Sequence, residues 1–110
     1  MINEMNISYT QQDIDNGLIL PDSELGKKLG FTSERFLDGS YLWLKNGVLW
    51  LSLLMSREEH KKYLLRLLVH SRNLGYHMAA CPVSKRMTDI LNKFGFRDAP
   101  EGMMTYFNEL

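Results

Sequence analysis

An α+β domain, with a mixed, mostly antiparallel sheet and helices on both faces, is what the 110 residues predict. Two aromatic-rich apolar runs meet at Asn46-Gly47, a dipeptide suited to the positive φ angles of a type I′ hairpin. Two later segments place apolar residues at helical spacing, and short apolar runs lie between and after them, so helices and strands alternate through the second half. The length suits one domain spanning 1–110, with enough apolar residues to build a core unaided.

In the first twenty residues only "ISY" (7–9) and "LIL" (18–20) carry an apolar pattern, read as a short strand and a locally packed segment. "DSELGKKLGF" (22–31) predicts a short helix: Asp22 after Pro21 is a capping residue, Leu25 and Leu29 are four apart, and Gly30 is a stop. Strands are expected at 40–45 and 48–55. The second is apolar on both parities, with Val48, Trp50 and Leu54 against Leu49, Leu51, Leu53 and Met55, as in a central strand covered on both faces.

Ser56 and Glu59 fit a capping box opening a helix that runs to Gly75. Tyr63, Leu64, Leu65, Leu67, Leu68 and Leu74 form its apolar face, and Lys61, Lys62, Arg66 and Arg72 point outward. "YHMAACPV" (76–83) reads as a strand stopped by Pro82. Met87, Ile90, Leu91 and Phe94, spaced i, i+3, i+4, i+7, mark a second amphipathic helix ending at Gly95, and "MMTYFNEL" (103–110) closes the chain as a strand.

Composition narrows the function classes. A single cysteine, Cys81, excludes an intramolecular disulfide and the usual zinc spacings, which points to a reducing, cytoplasmic setting. The N-terminus lacks the basic and apolar regions of a secretory signal, and every apolar run is far shorter than the roughly 18 residues that span a bilayer, so no membrane is expected. Net charge is zero but uneven: five acids precede the first basic residue, whereas Lys45 to Arg97 holds ten Lys and Arg against Glu58, Glu59 and Asp89. Such a segment attracts an anionic ligand or partner, or forms a solvated basic face. No nucleic-acid motif accompanies these charges, and the acidic N-terminal segment opposes such a partner.

The element order, together with "NLGYHMAACPVSKRMTDILNKFGFRDAPEGMMTYF" and its helix closing on "KFGF" at Lys93 to Phe96, resembles the C-terminal two-thirds of the GCN5-related N-acetyltransferase family over residues 40–107. The length looks most similar to small acetyltransferase-like proteins of tailed bacteriophages, which would imply a host cytoplasm. The resemblance implies acetyl-CoA as cofactor, its pyrophosphate held by an Arg/Gln-x-x-Gly-x-Gly/Ala loop whose glycines admit the phosphates to backbone amides. Aligned through Leu64-Leu65, the glycine positions hold Glu59 and Lys61, with Ser56 at the arginine position. Shifted by one, Arg57 takes the arginine place, while His60 and Lys62 take the glycine places. A capping box would also set the Glu59 carboxylate at the positive helix end that a pyrophosphate needs. Where the family offers an asparagine and a tyrosine near the acetyl group stand Ser84 and Leu91, and a leucine cannot protonate a leaving thiolate.

Two functions follow as expectations. One is an acetyltransferase-like fold that has lost its cofactor and acts by binding a protein partner, with Tyr41 and Trp43 on the hairpin as the contact surface and a homodimer left open. The other is an acetyl-CoA-dependent N-acetyltransferase in which Arg57, Lys61 and Lys62 hold the phosphates by side chain. Glu58 or Glu59 would then be the candidate base. Other chemistry is thin. His77 and Cys81 share a strand face about 13 Å apart, too far for a nucleophile and its base. Cys81 reads as a small core residue, and His60 and His70 have no convergent partners for a metal.

Overall fold

The computed structural model describes residues 10–58, 62–82 and 84–108. Among these residues four helices and six strands follow one another as α1 (Gln11–Asp15), β1 (Leu18–Ile19), α2 (Glu24–Leu29), β2 (Tyr41–Lys45), β3 (Val48–Leu53), α3 (Tyr63–Asn73), β4 (His77–Ala80), α4 (Lys85–Phe94), β5 (Arg97–Asp98) and β6 (Met104–Tyr106), with a 3-10 turn at Pro100–Gly102 before the last strand. They build one mixed sheet in the order β1-β2-β3-β4-β6-β5. Only β3 and β4 run parallel, joined through α3; the other neighbours are antiparallel.

The hairpin forms where Asn46-Gly47 predicts it, with φ angles of 53° and 80° at these residues. From there the register assigns every strand residue to a face. Leu49 pairs with Leu44 and with Met78, Leu51 with Ala80, and Ala80 with Met104. These residues share one core with Leu29 of α2, Leu67 and Leu68 of α3, and Leu91 of α4. The three longer helices therefore lie together on one face of the sheet, where the sequence pattern suggests helices on both. The opposite face carries Tyr41, Trp43, Val48 and Trp50, all half-buried, and the exposed Lys45 and Ser52.

A bulge explains the misleading pattern of β3. Tyr41 pairs with Leu53 but Trp43 with Trp50, so β3 holds one more residue than β2 between those pairs. The extra residue moves Leu53 to the open face beside Tyr41 and turns Leu54 toward the core. The parities assigned to Leu53 and Leu54 from strict alternation are thus exchanged, and among the described residues the central strand β3 meets α2, α3 and α4 on one face.

Local chemistry sets the helix ends. The N-cap of α2 is Ser23, one residue later than expected, and its hydroxyl accepts the Gly26 N–H at 3.1 Å. Asp22 instead takes a left-handed conformation (φ 71°) and accepts from the backbone N–H and hydroxyl of Ser33 at 3.0 and 2.6 Å. Gly30 and Gly95 end α2 and α4 in the left-handed region as predicted. At the start of the sheet, the "LIL" segment supplies β1, while "ISY" lies outside the described residues.

Candidate functional site

A cleft of about 900 Å³ opens between the end of β3, the start of α3 and the outer side of α4. Leu54, Met55 and Ser56 enter from the strand end, Lys62 to Leu65 from α3, and Ser84, Arg86, Met87, Asp89, Ile90, Lys93 and Phe94 from α4. On α4, Arg86, Ile90 and Lys93 recur at helical spacing, so cations and an apolar residue share the stripe that faces the opening. The carboxylate of Asp89 is paired with Lys85 at 3.3 Å, which leaves the charge of the lining positive among the described residues.

The start of α3 overturns the expected capping box. Ser56 lies in an isolated bridge with Phe36, because the chain after β3 continues to pair: Met55 O accepts the Leu37 N–H at 2.7 Å and Arg35 O accepts the Arg57 N–H at 2.8 Å. Ser56 is therefore spent on the sheet edge and is not the helix cap. The helix begins at Tyr63, and its N-cap residue is Lys62, six residues beyond Ser56, left-handed at φ 60° and ψ 33°, with no side-chain capping hydrogen bond. The first N–H groups of α3 consequently keep their positive end toward the cleft without a side-chain acceptor from the cap residue. Glu59, His60 and Lys61 lie outside the described residues.

Of the three cations expected to hold phosphate, Lys62 lines the cleft and Lys61 is not described. Arg57 is placed elsewhere: its Nε donates to Ser33 O at 2.5 Å, tying the segment to the loop before β2. Arg86 and Lys93 join Lys62 instead, a grouping invisible to motif alignment because it depends on α4 lying beside α3. Their i, i+7 spacing around Ile90 was the available signal.

Ser84 caps α4, accepting the Met87 N–H at 3.1 Å, and so stands at the cleft's edge with its hydroxyl already engaged. Leu91 is buried in the core. The side chain at that position therefore cannot reach the cleft. Tyr63 lines the cleft with the Arg35 guanidinium 5.7 Å from its ring centre. Glu58 is exposed.

Tyr41 and Trp43 belong to the open sheet face. Trp43 stands opposite Trp50, and Lys45 Nζ lies 4.8 Å from the centre of the Trp43 ring. Trp43, Lys45, Val48, Trp50 and Ser52 border a depression of about 440 Å³. Cys81 is exposed rather than in the core, because β4 ends at Ala80 and the chain leaves the sheet ahead of Pro82. His77 remains on β4, and among the described residues no three His, Cys, Asp or Glu side chains gather as a metal site. No described helix is long and apolar enough to cross a membrane.

Comparison with known proteins gives no match to a protein-family model, to a curated protein or to a solved structure.

Proposed function

We propose that the cleft between α3 and α4 binds acetyl-coenzyme A, and that the chain is an N-acetyltransferase-like protein whose phosphate contacts come from side chains and an uncapped helix start. The observation that carries this reading is the start of α3: an eleven-residue helix opens onto a cleft with no cap from its N-cap side chain, and Lys62 stands at that opening. The strongest sequence argument against such a ligand was a cap formed by Ser56, and Ser56 is engaged with Phe36. Arg86 and Lys93 add positive charge across the opening. Acyl transfer to an amine would complete the activity. The leaving thiolate would take its proton from a group other than residue 91, since Leu91 is buried.

A thermal-shift titration with acetyl-CoA tests the reading, because a ligand bound only by the native state raises its melting temperature. At 100 times its Kd the ligand should add about 2.7 kcal/mol of stability. Lys62→Ala should shrink the shift. An unchanged melting curve at millimolar acetyl-CoA would remove the cofactor from the protein's function.

A second reading, binding of a protein partner, is favoured by the sheet face opposite α2, α3 and α4, where Tyr41, Trp43 and Trp50 are half-buried and, among the described residues, none of these three helices packs. Replacing Trp43 by Ser should then abolish co-purification of a stoichiometric partner while leaving the acetyl-CoA response intact.

A further inference from the structure

The same cleft has an apolar wall that an acetyl group does not use. Leu54, Met55, Met87 and Ile90 line it, and each is half-buried: Leu54, Met87 and Ile90 pack one side against the core and turn the other toward the opening. Two of the four are methionines, whose unbranched thioethers adjust to ligands of varied shape. The volume of about 900 Å³ lies near the upper end of small-molecule sites. Cations at Lys62, Arg86 and Lys93 border this apolar wall, so the cleft matches a ligand with an anionic part and an extended apolar part. From that pairing we infer that the cleft takes an acyl thioester whose acyl chain is several carbons longer than acetyl. The inference rests on the proposed coenzyme A site and adds the class of acyl group carried there.

The alignment of charge with apolar surface is what selects this occupant. A nucleotide alone would leave the methionine and leucine wall against water, and a neutral hydrocarbon would make no use of the positive charge at Lys62 and Lys93. A fatty-acyl thioester satisfies both.

Calorimetric titration of the full chain with coenzyme A, acetyl-CoA, butyryl-CoA, octanoyl-CoA and free octanoate separates the claims. Affinity should tighten by up to about fourfold for each methylene added beyond acetyl, the equivalent of burying one CH₂. Met87→Gln should lower the ratio of octanoyl-CoA to acetyl-CoA affinity and so flatten that series, and Met55→Gln serves as the independent variant if the first fails to fold. Coenzyme A and all thioesters binding equally would overturn the long-chain inference and leave the cofactor site standing. Octanoate binding without coenzyme A would retain the acyl wall and remove the cofactor. Absence of binding by every ligand would overturn both.

Discussion

His77 and Asn108, 31 residues apart, are joined by a 2.7 Å hydrogen bond in which the Asn108 backbone N–H donates to the imidazole Nδ1. A backbone N–H can only donate, so Nδ1 is the accepting nitrogen of the ring. The Asn108 side chain makes a second tie, donating from Nδ2 to Arg72 O at 2.7 Å, and the His77 ring meets Phe107 edge-on with centroids 5.7 Å apart. One histidine on a central strand thus holds the segment that follows β6. His77→Phe should cost about 1 kcal/mol and speed hydrogen exchange at the Asn108 amide, read by NMR.

Asp22 governs acid sensitivity at the other end of the chain. The hydroxyl and the backbone N–H of Ser33 both donate to its carboxylate and hold its pKa below the ordinary 3.8. A carboxylate with a lowered folded pKa adds stability above its unfolded value and loses it as pH falls through the folded one. Asp22→Asn tolerates the left-handed backbone and removes the charge. Urea midpoints of the two proteins should differ most above pH 3.8 and converge below it.

Lys62 trades stability for position. Its φ of 60° places a side chain in the left-handed region, which glycine adopts without strain. Lys62→Gly should raise stability by about 0.5–1 kcal/mol while weakening acetyl-CoA binding. Melting curves with and without ligand report the two effects in opposite directions.

Gly17 permits β1 to reach β2. A Cβ there would stand 2.2 Å from Leu44 O, and the residue's φ is 116°. The Leu44 N–H donates to Gly17 O at 2.8 Å, so the two backbones are in direct contact. Gly17→Ala is expected to cost about 3 kcal/mol, lowering the urea midpoint with the slope unchanged if only the native state is strained.

Leu91→Tyr tests whether the resemblance can be repaired by one substitution. The native side chain is wholly buried among core residues. A larger ring there should destabilise by about 1–3 kcal/mol, measured by urea unfolding, and should not speed acetyl transfer.

Much of the fold was written in local signals. Asn46-Gly47 carries its own turn geometry, Gly95 stops α4, and Met87, Ile90, Leu91 and Phe94 declare its inner side. These features depend on neighbours within one or two turns. The errors arose where distant backbone intervened. Ser56 has the composition of a helix cap, but strand pairing with Phe36 claims it first. Leu53 and Leu54 exchange faces through a bulge that only the Tyr41 and Trp43 pairings reveal. The candidate cleft was half legible: Lys62 stood out by position, while Arg86 and Lys93 gained meaning only when α4 was laid beside α3.

Among the described residues, both margins of the sheet are strands of two residues, Leu18–Ile19 and Arg97–Asp98. Stubs this short present almost no template for recruiting another chain, and the second is doubly charged and exposed. Fibre growth by strand addition is disfavoured at each border, so crowding the protein should leave it dispersed long after a flat-edged sheet of equal size had begun to polymerise.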